Sequence, residues 1–228
     1  MFSRAALCKR YLNDTEQFAT HALFRNLETG VGDVAGYDNF LRRVARTHLH
    51  APRVSAFLYS IAPPDAAVRI GVDLLEAIAV QAHCGGRVPA LEALLNAAGL
   101  GLELAALRTQ GREDFERMIS GPVPFGSLGA LGIALMIETV AFDFLYDRMG
   151  RRMGELSLRY RELPGSALAW FVRGSGSSRT AHGLNHILCT IDHYRLEPPA
   201  VEAIVDTVLI ENLFVKRYFG KRALPGPC

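Results

Sequence analysis

The sequence predicts an all-α fold, a compact bundle of about seven helices in a single domain. Three observations lead there. Apolar residues recur at helical spacing almost throughout the 228 residues. No alternating stretch bounded by turn residues is long enough for a strand. Short Gly/Pro pieces such as "ETGVGD", "APPD" and "SGPVPFGS" divide the chain at helix-length intervals, as in a bundle with short connections.

A first helix is expected over residues 4–27, ending at "ETGVGD". A second covers 34–61, where Pro52 should start, break or kink a segment because it lacks the amide proton a helix interior needs. Asp65 is the expected N-cap of a third, "AAVRIGVDLLEAIAVQAH", closed by "CGG". The amphipathic "VPALEALLNAAGL" and a piece near residues 102–108 follow. The longest helix is predicted at 128–160, with Gly150 and Gly154 as candidate bends. A sixth spans about 166–195, interruptible at "RGSGSS", and the last covers 200–219. Residues 220–228, "GKRALPGPC", read as a flexible tail of this single 1–228 domain.

Half the residues are hydrophobic and 21% are charged, an ordinary globular composition. A net charge of +2, with arginines scattered in pieces such as "FLRRVAR" and "DRMGRRMGE", gives no nucleic-acid footprint; these pieces read as solvated helix faces. Cys8, Cys84, Cys189 and Cys228 lie far apart without a CxxC pair, which suits a reducing compartment. The opening "MFSRAALCKRYLND" turns polar too early for a signal peptide, and no apolar run reaches the roughly 18 residues of a membrane span. The expectation is a cytoplasmic protein with a small-molecule substrate and neither a nucleic-acid nor a membrane partner. A homodimer is the commonest outcome if it assembles.

Nucleotide-binding loops, the nucleophile elbow and HExxH are all absent, which leaves carboxylates and histidines on apolar helices. In "LGIALMIETVAFDFLY", Glu138 has scarcely a polar face around it, so unless the bundle turns it outward it must protonate or find a partner. The alternatives are a metal ion, one of the many arginines, or a neutral hydrogen-bonded acid. Glu76 and His83 in "DLLEAIAVQAHC" are seven residues apart, about 20° short of two full helical turns, so they share a face, with Asp73 near the same stripe. In "TAHGLNHILCTIDHY", His182 and His186 form an i, i+4 pair, and His193 lies seven further with Asp192 beside it. Carboxylates with imidazoles favour iron or manganese over a zinc thiolate site. Each group also has an ordinary reading: a wet helix face for the third helix, a charge suited to a helix C-terminus for His193.

These residues resemble a family. "HALFRNLETG" is similar to the "HPxFxxLxxG" entry of the haem-oxygenase-like superfamily, and the Glu-x6-His helix followed by a central glutamate resembles its non-haem di-iron oxidases and oxygenases. The resemblance implies a haem-oxygenase-like bundle binding Fe(II), two per chain, with O2 as co-substrate and Glu76, His83, Glu138, His182 and His186 as ligands. Asp73, Asp192 and His193 would be additional ligands or their supports, and Phe142, Phe144 and Leu188 would shield the substrate pocket. It further implies oxidation of an amino-acid-derived or fatty-acid metabolite by N-oxygenation, desaturation or C–C cleavage.

The chain departs from the family's His-x3-Asp-x2-His pattern. With His186 last, the first two positions are Arg179 and Gly183; with His193 last, they are His186 and Thr190. Neither register supplies the Asp, which puts the second metal in doubt. Haem chemistry lacks its proximal histidine, since Asp14 and Thr15 stand near that place. Two alternatives accompany the oxygenase expectation. One is a metal-free thiaminase-like hydrolase or lyase using Cys84 or Cys189, with Glu211 as a further acid. The other is a non-catalytic helical protein that has lost its metal.

Overall fold

The computed structural model describes residues 3–78, 86–120, 126–173 and 177–220. Among these it has twelve α-helices, one 3-10 turn and no strand, so the all-α expectation holds, with more interruptions than the sequence predicts.

The expected first helix is two. α1 (Arg4–Thr20) starts at Ser3, whose hydroxyl accepts the Ala6 amide. It stops at His21, which turns extended and caps α2 (Ala22–Thr29) by accepting the Leu23 amide on Nδ1. Gly30, at φ 78°, closes α2 in the left-handed region glycine tolerates. The expected second helix also divides. α3 (Val34–His48), capped by Asp33, yields to α4 (Ala51–Ile61), which carries Pro52 in its first turn, where no intrahelical amide is needed. In α5 (Pro64–Ile78), Asp65 lies within the first turn rather than at the cap. "CGG" lies mostly outside the described residues, as does the tail from residue 221.

α6 (Arg87–Ala97) leads through the 3-10 turn at Gly101–Glu103 to α7 (Leu104–Ser120), longer than the short piece expected there. α8 (Leu128–Tyr160) has the expected bounds, with Ser127 capping it, and passes Gly150 and Gly154 as one helix. α9 (Ala169–Arg173) and α10 (Ser177–Tyr194) replace the expected sixth helix. α11 (Pro198–Val208) and α12 (Leu213–Phe219) replace the last, separated by Glu211 and Asn212 at φ 56° and 55°. Asn212 sustains that conformation by capping α12 through the Val215 amide and donating to the Asp14 carbonyl at 2.7 Å.

The architecture is organised by α8, which runs roughly 50 Å at 1.5 Å per residue. It packs against α1, α3, α4, α9, α10 and α11, while α12 lies on α3. α8 is long and apolar enough to cross a membrane, yet 78% of its most apolar window is buried within the protein. It is the core helix of this bundle. Phe18, Phe24, Phe40, Phe142, Phe214 and Tyr218 form one continuous aromatic cluster beside it.

Two glycines set how close its neighbours come. A Cβ on Gly183 of α10 would lie 2.4 Å from Val140 Cγ2, and one on Gly150 would lie 2.1 Å from the Phe171 carbonyl oxygen. The first close approach brings His182 and His186 to the stretch of α8 that carries Glu138.

Candidate functional site

A cavity of about 130 Å³ lies between these elements. The α3–α4 junction contributes Thr47, His48 and His50; α5 contributes Arg69 and Ile70; α8 contributes Glu138, Thr139, Phe142 and Asp143. α10 contributes Arg179, His182 and His186, and α12 contributes Arg217. Glu138, His182, His186 and Phe142 were expected at one site and do line one cavity.

Glu138 has its positive partner, and it is an arginine. Arg217 Nη2 lies 2.7 Å from Oε1 and donates to Oε2 at 2.9 Å. The carboxylate charge beside it raises the Arg217 pKa against the opposing effect of burial. Asp143, the other acid of the α8 run, is buried and accepts from Arg87 Nη2 at 3.0 Å. Of the outcomes the sequence left open for Glu138, the arginine pair is the one seen.

Four histidines border the cavity. His48 is fully within the core, and its Nε2 lies 2.8 Å from Tyr218 Oη, which in turn lies 2.8 Å from Tyr146 Oη. Burial pushes His48 well below the ordinary histidine range, with Arg87 adding to the shift, and pushes Tyr218 well up. His50 Nδ1 lies 3.1 Å from the Arg46 carbonyl, so that nitrogen carries the proton and Nε2 keeps its lone pair. Its pKa is lowered by burial, with Glu138 opposing. His186 is lowered by burial, then by His182 and Arg69. His182 is exposed, at the cavity's edge.

The other expected residues are elsewhere. Phe144 is not among the described cavity-lining residues; it packs on Tyr11 and lies under Arg148. Leu188 is half-buried on α10 without lining the cavity. Asp192 and His193 are exposed, and the His193 ring contacts Tyr194. The backbone at Asp73 and Glu76 belongs to α5, while their side chains, together with His83 and Cys84, lie outside what is described. Cys189 is exposed and Glu211 is in the α11–α12 turn, so neither borders the cavity. Among the described residues, no group of three His, Cys, Asp or Glu side chains is gathered closely enough to hold a metal ion.

Sequence reasoning passed over His48, His50, Arg87 and Arg217. His48 had a signal: Leu41, Val44 and Ala45, at i−7, i−4 and i−3, place it on the buried face of α3. Arg217 had none, because what defines it is a carboxylate 79 positions away.

In chemical terms the site joins imidazoles, guanidiniums and two arginine-bound carboxylates around apolar surface. It can hold a small molecule, position it by hydrogen bonds and exclude bulk water. No family model matches the chain, and no curated protein matches it, so the haem-oxygenase-like resemblance rests on its short motifs alone.

Proposed function

We propose that this chain is an oxidase or oxygenase that uses ferrous iron and O2 to oxidise a small metabolite in the α3–α4/α8/α10 cavity. The observation that carries this reading is that His182 and His186, one turn apart on α10, border the same cavity as Glu138 on α8. α5, the helix of Glu76, forms another wall through Arg69 and Ile70.

The donor chemistry fits iron in part. Burial keeps His186 neutral, the state in which imidazole binds a metal. Glu138 is an oxygen donor engaged by Arg217, so its use as a ligand requires exchange of that partner. His182 and His186 would hold the ion, with Glu76 and His83 as the partners expected from the sequence. When bound, ferrous iron would donate electrons to O2 and so activate it for oxidation of an organic substrate. The chain's own contribution is the enclosure: Phe142 and Trp170 keep water from the reacting molecule, and the guanidiniums of Arg87 and Arg217 orient it.

The Glu138–Arg217 pair favours a second reading, a metal-free cavity protein in which Glu138 is a structural acid. Anaerobic reconstitution with ferrous iron, followed by a metal count and O2 exposure, separates the two. Bound iron, lost in the double variant His182→Ala/His186→Ala and coupled to O2 consumption, supports the oxidase. A protein that takes up no iron overturns it and leaves the metal-free reading.

A further inference from the structure

The α4–α5 hairpin turns apolar side chains outward as well as inward. Its inner side is a wall of the cavity, through Val54 and Leu58 of α4 and Arg69 and Ile70 of α5. Its outer side should be the polar one, because a helix with one buried face normally turns charge to water. On α5 the outer positions are instead Val68 and Val72, one turn apart and 76% and 38% exposed. Tyr59 of α4, half exposed, lies beside them: a Cβ on Gly71 would be 3.3 Å from its ring. Ala56, one turn earlier on α4, is exposed as well. Single apolar residues on a surface mean little, but adjoining ones on neighbouring helices mark a contact face.

We propose that this face is the interface of a homodimer, in which the hairpin of a second copy packs antiparallel across a two-fold axis. The charges at the ends of the face identify that partner. Two packed helices joined by residues 62–63 run antiparallel, so the first turns of α4 and α5 lie at opposite ends of the hairpin. Arg53 is in the first turn of α4 and Asp65 in that of α5, both exposed. Eight residues separate Arg53 from the end of α4, about 12 Å at 1.5 Å per residue. Neither side chain makes a hydrogen bond or ion pair among the described residues. A two-fold axis through the middle of the face lays the Arg53 end of one copy on the Asp65 end of the other, twice. The face is therefore complementary to itself, which an isologous dimer requires and a different partner does not. Its centre is apolar and its rim charged, as in other protein interfaces.

A second copy on the outer side of the hairpin would brace the wall that Leu58 and Ile70 present to the cavity. The inference goes beyond the proposed function, because it names a protein partner and needs neither iron nor a substrate.

The test is sedimentation velocity of the full chain over roughly 1–100 μM, the range in which a modest interface associates. A monomer–dimer equilibrium is expected. Val68 does not line the cavity, so Val68→Glu should leave the fold intact by circular dichroism. It should weaken the dimer at least about tenfold, since it buries a carboxylate in each half of the contact. Arg53→Asp and Asp65→Arg should each weaken it about fivefold, because symmetry places each reversal at two contacts. The double variant Arg53→Asp/Asp65→Arg re-forms both pairs with their signs exchanged, and should return to within about twofold of the parent affinity. A chain that stays monomeric throughout, a dimer indifferent to Val68→Glu, single reversals without effect, or a double reversal as weak as the single ones would each overturn the proposal. These outcomes are independent of the iron count that tests the oxidase reading.

Discussion

Arg217 Nη2 lies 2.7 Å from Glu138 Oε1, joining α12 to the middle of α8. The side chains are 35% and 18% exposed, and what they are open to is the cavity between the helices. Removing either partner strands a charge in a partly desolvated wall. Arg217→Ala and Glu138→Ala should each cost about 1–3 kcal/mol, below the loss expected for a fully buried pair. The double variant should lose clearly less than their sum. Urea denaturation of all four proteins measures the coupling, and additive losses would show that the two residues do not interact energetically.

The histidines make stability depend on pH in a direction that follows from burial. His48 and His50 have lowered pKa values in the folded chain, each with burial as the largest cause. Below the ordinary histidine pKa of about 6.5, the unfolded chain takes up protons that the folded one refuses. Their contribution is therefore complete above about pH 6.5 and is lost as the pH falls toward the lowered folded values. Unfolding free energy should decline between about pH 6.5 and 5, by up to about 1.4 kcal/mol per pH unit per histidine. His48→Gln should flatten that decline. A profile that is level across this window in the parent protein would show that these imidazoles accept protons without unfolding.

The hydroxyl of Tyr218 stands between His48 Nε2 and Tyr146 Oη, 2.8 Å from each, whereas Tyr146 and His48 are 3.5 Å apart. Tyr218→Phe removes the shared partner of two buried groups, and Tyr146→Phe removes only the outer one. The expected losses are about 2–3 kcal/mol for Tyr218→Phe and about 1 kcal/mol for Tyr146→Phe. Thermal or urea unfolding checks the order, and a reversed order would mean that Tyr146 is the hub.

These residues also show what the sequence made legible. The bounds of α8 were readable because a long apolar run that follows a Gly/Pro piece is a local signal. The break at His21 was not, because it depends on a histidine side chain capping the next helix, a role its residue type does not announce. That Glu138 stands out followed from its apolar neighbours, but which partner it takes depends on a pairing across 79 positions. Periodicity groups residues on one helix face and is silent about which face of another helix meets it. His182 and His186 were found as a pair for the first reason; the arginines around them were missed for the second.

Gly150 and Gly154 lie one turn apart on α8 and separate close packing from helix propensity. A methyl group at Gly150 would lie 2.1 Å from the Phe171 carbonyl oxygen, a backbone atom that cannot step aside by rotating a side chain. At Gly154 the nearest atom would be Phe171 Cβ at 3.9 Å, an ordinary contact. Gly150→Ala should therefore push α9 off α8 and cost about 1–3 kcal/mol, as overpacking does. Gly154→Ala should cost nothing and gain up to about 1 kcal/mol from alanine's better helix propensity. Trp170, in α9 and against both His48 and Tyr146, offers a local reporter. Its fluorescence should change in Gly150→Ala and stay as it is in Gly154→Ala. If both variants proved equally stable with unaltered Trp170 emission, the α8–α9 approach could not be the tight contact that Gly150 permits.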